Sequence, residues 1–393
     1  MRAAFIKKNY IMKRNIVFLF ILLSFTLIQC KIVEEKKVVV KEISLPAEEV
    51  PFKASQLFAR MEYLELQMPH GVFLKELVKV EEFENFLFIQ DSHLHGLYIF
   101  NLNGQFHKIF SRQGRGPGEY ISFNDFLINV EEKQLEVLDK TKRKIFVYDI
   151  NTFEFIRSFA VPLTFVHKFV KQGDNYYFQT MGSRNTVNGR DTNADVIAYN
   201  YKTGETVPLF DHVAPENHNQ FLEYSNIFYK SNADEIFVIR AWQQEMYKID
   251  GLEVFPFFRI DAGNREVPEP ILQGTFEEKV SFLRSNEAQN KIVGFRLIMH
   301  ENNKTIIGYS IGGDTIPRYW LNFTNRQGKE IERGIKLIND FVAEPFPGVE
   351  IFSAMNGKVL SILYPTDLES SQSLAGLNIT NPDNPVLLKF YFD

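Results

Sequence analysis

Residues 96–110 read "GLYIFNLNGQFHKIF": an alternating apolar run ending in an aromatic, a polar Asn/Gly turn, then a second alternating run. Period-two alternation buries one side of each run and exposes the other, and a short Asn/Gly turn joins two such runs as a β-hairpin. The plan returns at 144–159 ("KIFVYDINTFEFIRSF"), 196–210 ("VIAYNYKTGETVPLF") and 245–258 ("EMYKIDGLEVFPFF"). The aligned aromatics Phe100, Tyr148, Tyr199 and Tyr247 recur about every 50 residues, a period of propeller blades rather than of helical repeats. Two looser copies follow, "RYWLNFTNRQGKEIERG" at 318–334 and the chain end "VLLKFYFD" at 386–393. Six units is therefore the expected count, with insertions in the last two.

Between the hairpins lie further strand-like runs: "KQLEVLD" (133–139), "NYYFQTM" (175–181), "EIFVIRA" (235–241), "KTIIGYS" (304–310) and "KVLSILY" (358–364). They raise each unit to a four-stranded sheet, which buries both its faces only by stacking radially on its neighbours. The spacing thus predicts an all-β, six-bladed β-propeller over 51–393. The apolar segment "ARMEYLEL" at 59–66 is placed to complete the last blade and close the ring. The best helix candidate, "TFEEKVSFLRSNEAQ" (275–289), reads as an insertion between blades four and five. A β-sandwich followed by a second domain would explain the alternation equally well, but neither the recurrence of the hairpin nor the lack of a linker after Pro51.

The N-terminus reads as an address. Lys13 and Arg14 precede "NIVFLFILLSFTLIQ", the layout of a secretory signal, which makes Met12 the more natural start. The chain's one cysteine, Cys30, stands directly after this run. The stretch resembles a bacterial lipoprotein signal (1–30): Leu27 matches the leucine three residues before the acylated cysteine, whereas Gln29 departs from the small residue usual there. The resemblance implies lipid attachment at Cys30, a membrane-anchored partner relation and a cell-envelope location at the outer membrane, periplasmic or surface-facing. A cleaved signal with an incidental cysteine, or an uncleaved anchor, are the other readings. Residues 31–50, "KIVEEKKVVVKEISLPAEEV", read as a charged, self-repelling and extended tether.

After the first hairpin comes "SRQGRGPGEY", residues 111–120. Gly114, Gly116 and Gly118 can take positive φ, and Pro117 fixes its own φ while keeping Gly116 extended, so a tight inter-blade crossing towards the axis is expected there. Arg115 and Glu119, followed by Tyr120, would ride on the face that this crossing spans, as a mutual salt bridge, a backbone clamp or a ligand contact. "GRGPGEY", the lipoprotein signal and the six-fold hairpin plan together resemble the six-bladed β-propeller lipoproteins of Bacteroides-type bacteria, relatives of the NHL-repeat propellers. That resemblance covers essentially all of the chain after the tether.

The remaining residues narrow the function by exclusion. A net charge of −5 gives no basic field for nucleic acid. No G-x-S-x-G elbow, H-E-x-x-H, Walker loop or EF-hand loop occurs, and a lone signal-borne cysteine removes cysteine nucleophiles. His93 and His95 in "DSHLHG" have one-face strand spacing, yet no third histidine stands in a matching motif, so turn and surface roles are expected and no metal is assigned. Trp242 and Trp320 read as core residues, with sugar stacking as the alternative. The leading expectation is a monomeric binding module for a protein, peptide or carbohydrate, using Arg115, Glu119 and Tyr120 at one face, without a cofactor. The alternative is a lactonase-like hydrolase or lyase with a divalent metal in the central channel.

Overall fold

Six antiparallel sheets account for most of the strands of the chain, which the computed structural model describes over residues 41–45, 52–210, 227–240, 244–301, 304–312, 318–324, 330–335, 337–342, 346–347, 351–355, 357–370, 377 and 379–392. Blade 1 is Leu77–Phe83, Phe86–Asp91, Leu97–Asn101 and Phe106–Phe110. Blade 2 is Asp125–Asn129, Gln134–Asp139, Lys144–Asp149 and Phe155–Ala160. Blade 3 is Lys168–Gln172, Asn175–Gln179, Val196–Asn200 and Thr206–Pro208, with a small hairpin, Asn185–Val187 and Arg190–Thr192, inserted before its third strand. Blade 4 is Phe228–Lys230, Ile236–Ile239, Glu245–Asp250 and Glu253–Asp261. Blade 5 is Ile292–Glu301, Lys304–Ile311, Arg318–Thr324 and Glu330–Ile335. Blade 6 is Ile351–Met355, Lys358–Leu363 and Val386–Tyr391, with Arg60–Glu65 as its fourth strand. The six first strands touch one another in cyclic order, the last against the first, so the ring is closed around an axis. The hairpins legible in the sequence are the third and fourth strands of blades 1 to 5, and the intervening runs are second strands.

Closure follows the expected plan. Arg60–Glu65 pairs antiparallel with Val386–Tyr391 from Arg60 opposite Tyr391 to Glu65 opposite Val386. Glu65 then accepts from the Thr380 and Asn381 N–H groups, the Thr380 hydroxyl and the Asn384 amide. Burial opposes ionisation of Glu65, but these four bonds outweigh it and hold its carboxyl below the usual range. One end of the chain thereby carries the other, and no open seam is left in blade 6.

Aromatic side chains fill the wedges between blades, as large inward residues must when twisted sheets stack face to face. Between blades 1 and 2 the core joins Phe88, Ile99, Phe110, Tyr120, Phe126 and Tyr148. Charged pairs also cross the wedges: Lys79–Asp125 between blades 1 and 2, Lys171–Glu136 between 2 and 3, Arg240–Asp195 between 3 and 4, and Lys358–Glu82 between 6 and 1. Glu136 is wholly buried, and its desolvation is offset by Lys171 at 3.0 Å, the Tyr176 hydroxyl at 2.7 Å and the Asn129 amide at 3.3 Å. Burial, and after it the facing carboxylate of Glu136, raises the Tyr176 phenol far above its ordinary pKa.

The helical insertion also lies where the sequence placed it. Phe276–Leu283 is an α-helix between blades 4 and 5, started by a capping box in which Thr275 accepts from the Glu278 N–H and Glu278 accepts from the Thr275 N–H. One boundary shifts. Within the stretch read as a tether, Lys41–Ser44 is a strand that pairs parallel with Glu253–Asp261 and becomes a fifth strand on the edge of blade 4. Lys and Glu dominate this stretch, but Ile43 and Leu45 are buried, so two apolar contacts and a free sheet edge dock a segment whose composition reads as solvated. Residues 40–393 form one compact unit. The signal, Cys30 and Trp242 lie outside the described residues.

Candidate functional site

The segment "GRGPGEY" does not turn the chain towards the axis. The Gly114 N–H donates to the Tyr120 carbonyl at 2.9 Å and the Tyr120 N–H to the Arg112 carbonyl at 3.0 Å, a parallel bridge that closes residues 114–119 into a loop. This loop wedges against the outer strands of blade 2. The Tyr148 hydroxyl donates to the Gly118 carbonyl at 2.8 Å, the Arg112 guanidinium to the Phe153 carbonyl at 3.2 Å and Lys142 Nζ to the Glu119 carbonyl at 2.7 Å. The crossing to the axis is made only afterwards, by residues 121–124.

Each glycine has its own reason. Gly118 alone has positive φ, +73°, and a Cβ there would meet Phe155 at 2.5 Å. Gly114 and Gly116 are needed for space instead: a Cβ on them would stand 2.0 Å and 3.0 Å from Glu119 Oε2. That carboxylate folds back to accept from the Gly116 N–H at 2.7 Å. Of the readings open for Glu119, the geometry gives a backbone clamp, with its partner in the main chain and not in Arg115. Tyr120 is fully buried; its hydroxyl donates to the His95 carbonyl and accepts from the Arg112 N–H, both at 2.9 Å. Burial lifts the Tyr120 pKa above the ordinary phenol value. Arg115 is exposed and makes no ion pair or side-chain hydrogen bond among the described residues. His93 and His95 lie in an exposed turn rather than a strand, with His93 Nδ1 2.9 Å from the Ser92 hydroxyl.

The crossings themselves are held by buried aspartates that end second strands. Asp139 accepts from the Ile121 N–H at 2.7 Å, the Ser122 hydroxyl at 2.7 Å and the Lys142 N–H at 2.9 Å. In blade 1, Asp91 accepts from the Lys75, Glu76 and His93 N–H groups at 2.7, 2.9 and 2.8 Å. Blade 3 has Thr180 in this place, and Asn185 of the inserted hairpin accepts from Thr164 and Phe165 instead. All these crossings and second-to-third-strand turns lie on one face of the ring, because the strands alternate in direction.

A polar cluster that sequence reasoning missed stands where three crossings enter the innermost strands on that face. Lys79, Asp125 and Lys168 hold corresponding places near the starts of the first strands of blades 1, 2 and 3; opposite them on the second strands are Gln90, Leu138 and Gln179. Lys79 Nζ donates to the Phe126 carbonyl at 2.5 Å and lies 3.5 Å from Asp125 Oδ1 and 3.4 Å from Glu81. Burial works against its charge, yet Asp125 and Glu81 hold its pKa above the ordinary lysine value. Asp125 Oδ2 accepts from the Phe169 N–H at 2.9 Å. Lys168 is lowered, first by burial and then by Lys79, against the pull of Asp125. Its neighbour His167 is pushed down to about 4 by burial, with Lys140 and Lys168 adding to the effect. The sequence signal was charge at one register position in successive blades, visible only once the blades are aligned. Among the described residues, no three His, Cys, Asp or Glu side chains come together as a metal site would need.

The comparisons agree with the architecture. The family described as "Domain of unknown function (DUF4934)" matches residues 39–391, and the chain belongs to it. A solved protein of Bacteroides fragilis, described as exported, is similar over 90% of this chain and 100% of its own, with 17% identity and a TM-score of 0.67. A DUF4221 member from Bacteroides vulgatus covers 85% of this chain and 96% of its own, with 13% identity and a TM-score of 0.54. At such identities the likeness concerns the fold. No curated protein matches. Among the described residues no helix is long and apolar enough to cross a membrane.

Proposed function

We propose that the protein is a cell-envelope binding module of NHL-like propeller type, tethered at the outer membrane through lipid on Cys30 and presenting the crossing face of its ring to a protein, peptide or carbohydrate partner. The observation that carries this reading is Arg115: an exposed guanidinium with no ion pair or side-chain hydrogen bond among the described residues, mounted on a loop whose backbone is fixed by Glu119, Tyr148, Lys142 and the Tyr120 bridge. Rigid mounting lowers the entropic cost of holding a charge in binding geometry. Glu119 and Tyr120 serve the site by building the loop, and Arg115 makes the contact, with an anionic or hydroxyl-rich group. The resemblance of 1–30 to a lipoprotein signal, and the exported description of the Bacteroides fragilis protein, support the envelope location.

The test is Arg115→Ala. Its melting temperature should stay within about 1 °C of wild type, since surface changes away from structural features cost within about 0.5 kcal/mol, while retention on immobilised poly-glutamate should fall. Unchanged retention removes Arg115 from the binding face, and a large loss of stability makes it a structural residue instead. In cells, Cys30→Ser should move the protein out of the membrane fraction; continued retention would identify the apolar run itself as the anchor.

A further inference from the structure

We propose that the crossing face of blades 1 to 3 is a docking surface for an acidic protein segment that carries apolar side chains, seated on Phe73, Ile121 and Phe165. The inference rests on the reading of this face as the binding face and names its partner. It does not rest on Arg115.

Each of the three crossings that enter these blades presents one large apolar side chain to solvent: Phe73 is 64% exposed, Ile121 38% and Phe165 47%. Their places correspond. The Ile121 N–H is held by Asp139 and the Phe165 N–H by Asn185, while Phe73 stands two residues before the Lys75 N–H that Asp91 holds. Buried clamps thus fix the backbone at or beside each side chain. The three crossings are also joined to one another. Gln90, next to Asp91, donates to the Asn124 carbonyl at 3.2 Å, and the Asn124 side chain accepts from the Lys140 N–H at 3.0 Å. His167, two residues after Phe165 and lowered first by burial, feels the Lys140 charge as well. Single exposed apolar residues need no explanation, but three at corresponding places on one face, over clamped backbone, form a patch of the kind that marks an interaction site.

Charge around the patch selects the partner. Within residues 66–76, 91–96, 121–124, 139–143 and 161–167, which make up these crossings and the turns beside them, Lys75, Lys140 and Arg143 are exposed and Glu76 is the one exposed carboxylate. The turns on the opposite face of blades 1 to 3 reverse this balance, with Glu84, Glu131, Glu132, Glu154 and Glu205 exposed against Lys133 and Lys202. A chain of net charge −5 therefore gathers cations beside its exposed apolar side chains. Complementarity calls for carboxylates interleaved with apolar groups in one partner. Three cations fall short of the roughly four to eight that draw a basic surface to an anionic bilayer. Phe73, Ile121 and Phe165 offer no hydrogen bond to sugar hydroxyls, and Ile121 has no ring face to stack on, so a glycan would meet only the charges.

The experiment measures binding of the full chain to immobilised poly(Glu,Tyr) copolymer, with poly-glutamate of the same length and phosphatidylglycerol vesicles as comparisons. The copolymer should bind at least ~10-fold more tightly than poly-glutamate, the contribution of an aromatic anchor at an interface, and the vesicles more weakly than the copolymer. Phe73→Ser combined with Phe165→Ser should abolish that advantage without moving the melting temperature. Phe255→Ser, at a residue 42% exposed on the outer strand of blade 4, should leave it intact. Phe73→Leu with Phe165→Leu, which keeps the surface apolar, should retain most of it and guards against a folding defect in the serine variant. Equal binding of the two polymers, an advantage that survives the serine variant, or stronger binding to the vesicles would each overturn the proposal. Arg115→Ala separates the two readings: an advantage lost in the serine variant while Arg115→Ala changes nothing keeps this surface and removes only the role of Arg115, and the reverse pattern keeps Arg115 and removes this surface.

Discussion

Asp139 should be among the most expensive single side chains to remove, although it is no part of the hydrophobic core. It is wholly buried and takes three hydrogen bonds of 2.7–2.9 Å, two from the crossing that joins blades 1 and 2 and one from its own turn. Hydrogen bonds to an ionised acceptor contribute roughly 1.5–3 kcal/mol each, and removing the acceptor leaves the donors unpaired. Ile121 is exposed and Lys142 half-exposed, so water can reach those N–H groups after the change, and the low end of the range applies. Asp139→Ala should therefore cost about 3–5 kcal/mol, and lower the melting temperature by roughly 6–10 °C at about 2 °C per kcal/mol for a domain of this size. Asp139→Asn should recover only part, because its NH₂ would face a donor in place of one carboxylate oxygen. Urea titration at fixed temperature, with the exposed Asp383→Ala as the surface control, measures the difference. A loss below about 1 kcal/mol, or one equal to that of the control, would refute the view that these buried aspartates hold the crossings.

Gly118→Ala combines a left-handed backbone with a Cβ 2.5 Å from Phe155 and should cost about 2–4 kcal/mol in the same titration; a neutral result would show that the loop is not wedged against blade 2. Deleting "KFYFD" (389–393) removes half of the third strand of blade 6 and, with it, the partners of Arg60, Met61 and Glu62 in the closing strand, so size-exclusion chromatography should show self-association and the melting transition should broaden or vanish; a monomer that melts like wild type would rule out closure through this pairing. His167 is neutral in the fold down to about 4, whereas an unfolded histidine takes its proton near 6.5, so the unfolded chain binds more protons between these values. The stabilisation from this group is complete above about pH 6.5 and is lost as pH falls towards 4; with allowance for solvent screening of a partly open ring it amounts to roughly 1–2 kcal/mol. His167→Gln should flatten that part of the stability profile, and a profile identical to wild type would count against a buried, neutral ring.

The fold was legible because the outer halves of the blades carry the plainest pattern. Third strands such as Lys144–Asp149 are buried on both faces yet end in a polar turn, and fourth strands such as Phe106–Phe110 alternate in burial, so each hairpin announces itself locally. First strands are harder to read. Phe228–Lys230 has three residues, and Asp125–Asn129 begins with a buried aspartate whose purpose, partner to Lys79 and to the Phe169 N–H, is set by two other blades. Lys41–Ser44 was hidden for a different reason: a strand added to a sheet edge needs only its inward residues to be apolar, and Ile43 and Leu45 are too few to outweigh the Lys and Glu around them.

The glycine loop shows why residue type fixed the site's rigidity better than its direction. Three glycines within five positions announce a backbone that comes close to something, but that neighbour can be a ligand, another strand or the loop's own side chain. Here it is Glu119 for two of them and Phe155 for the third. Glu119 and Tyr120 are drawn inward by bonds that the local sequence does not encode, to the Gly116 N–H and to the His95 carbonyl of the preceding turn. Arg115 is what those constraints leave outside.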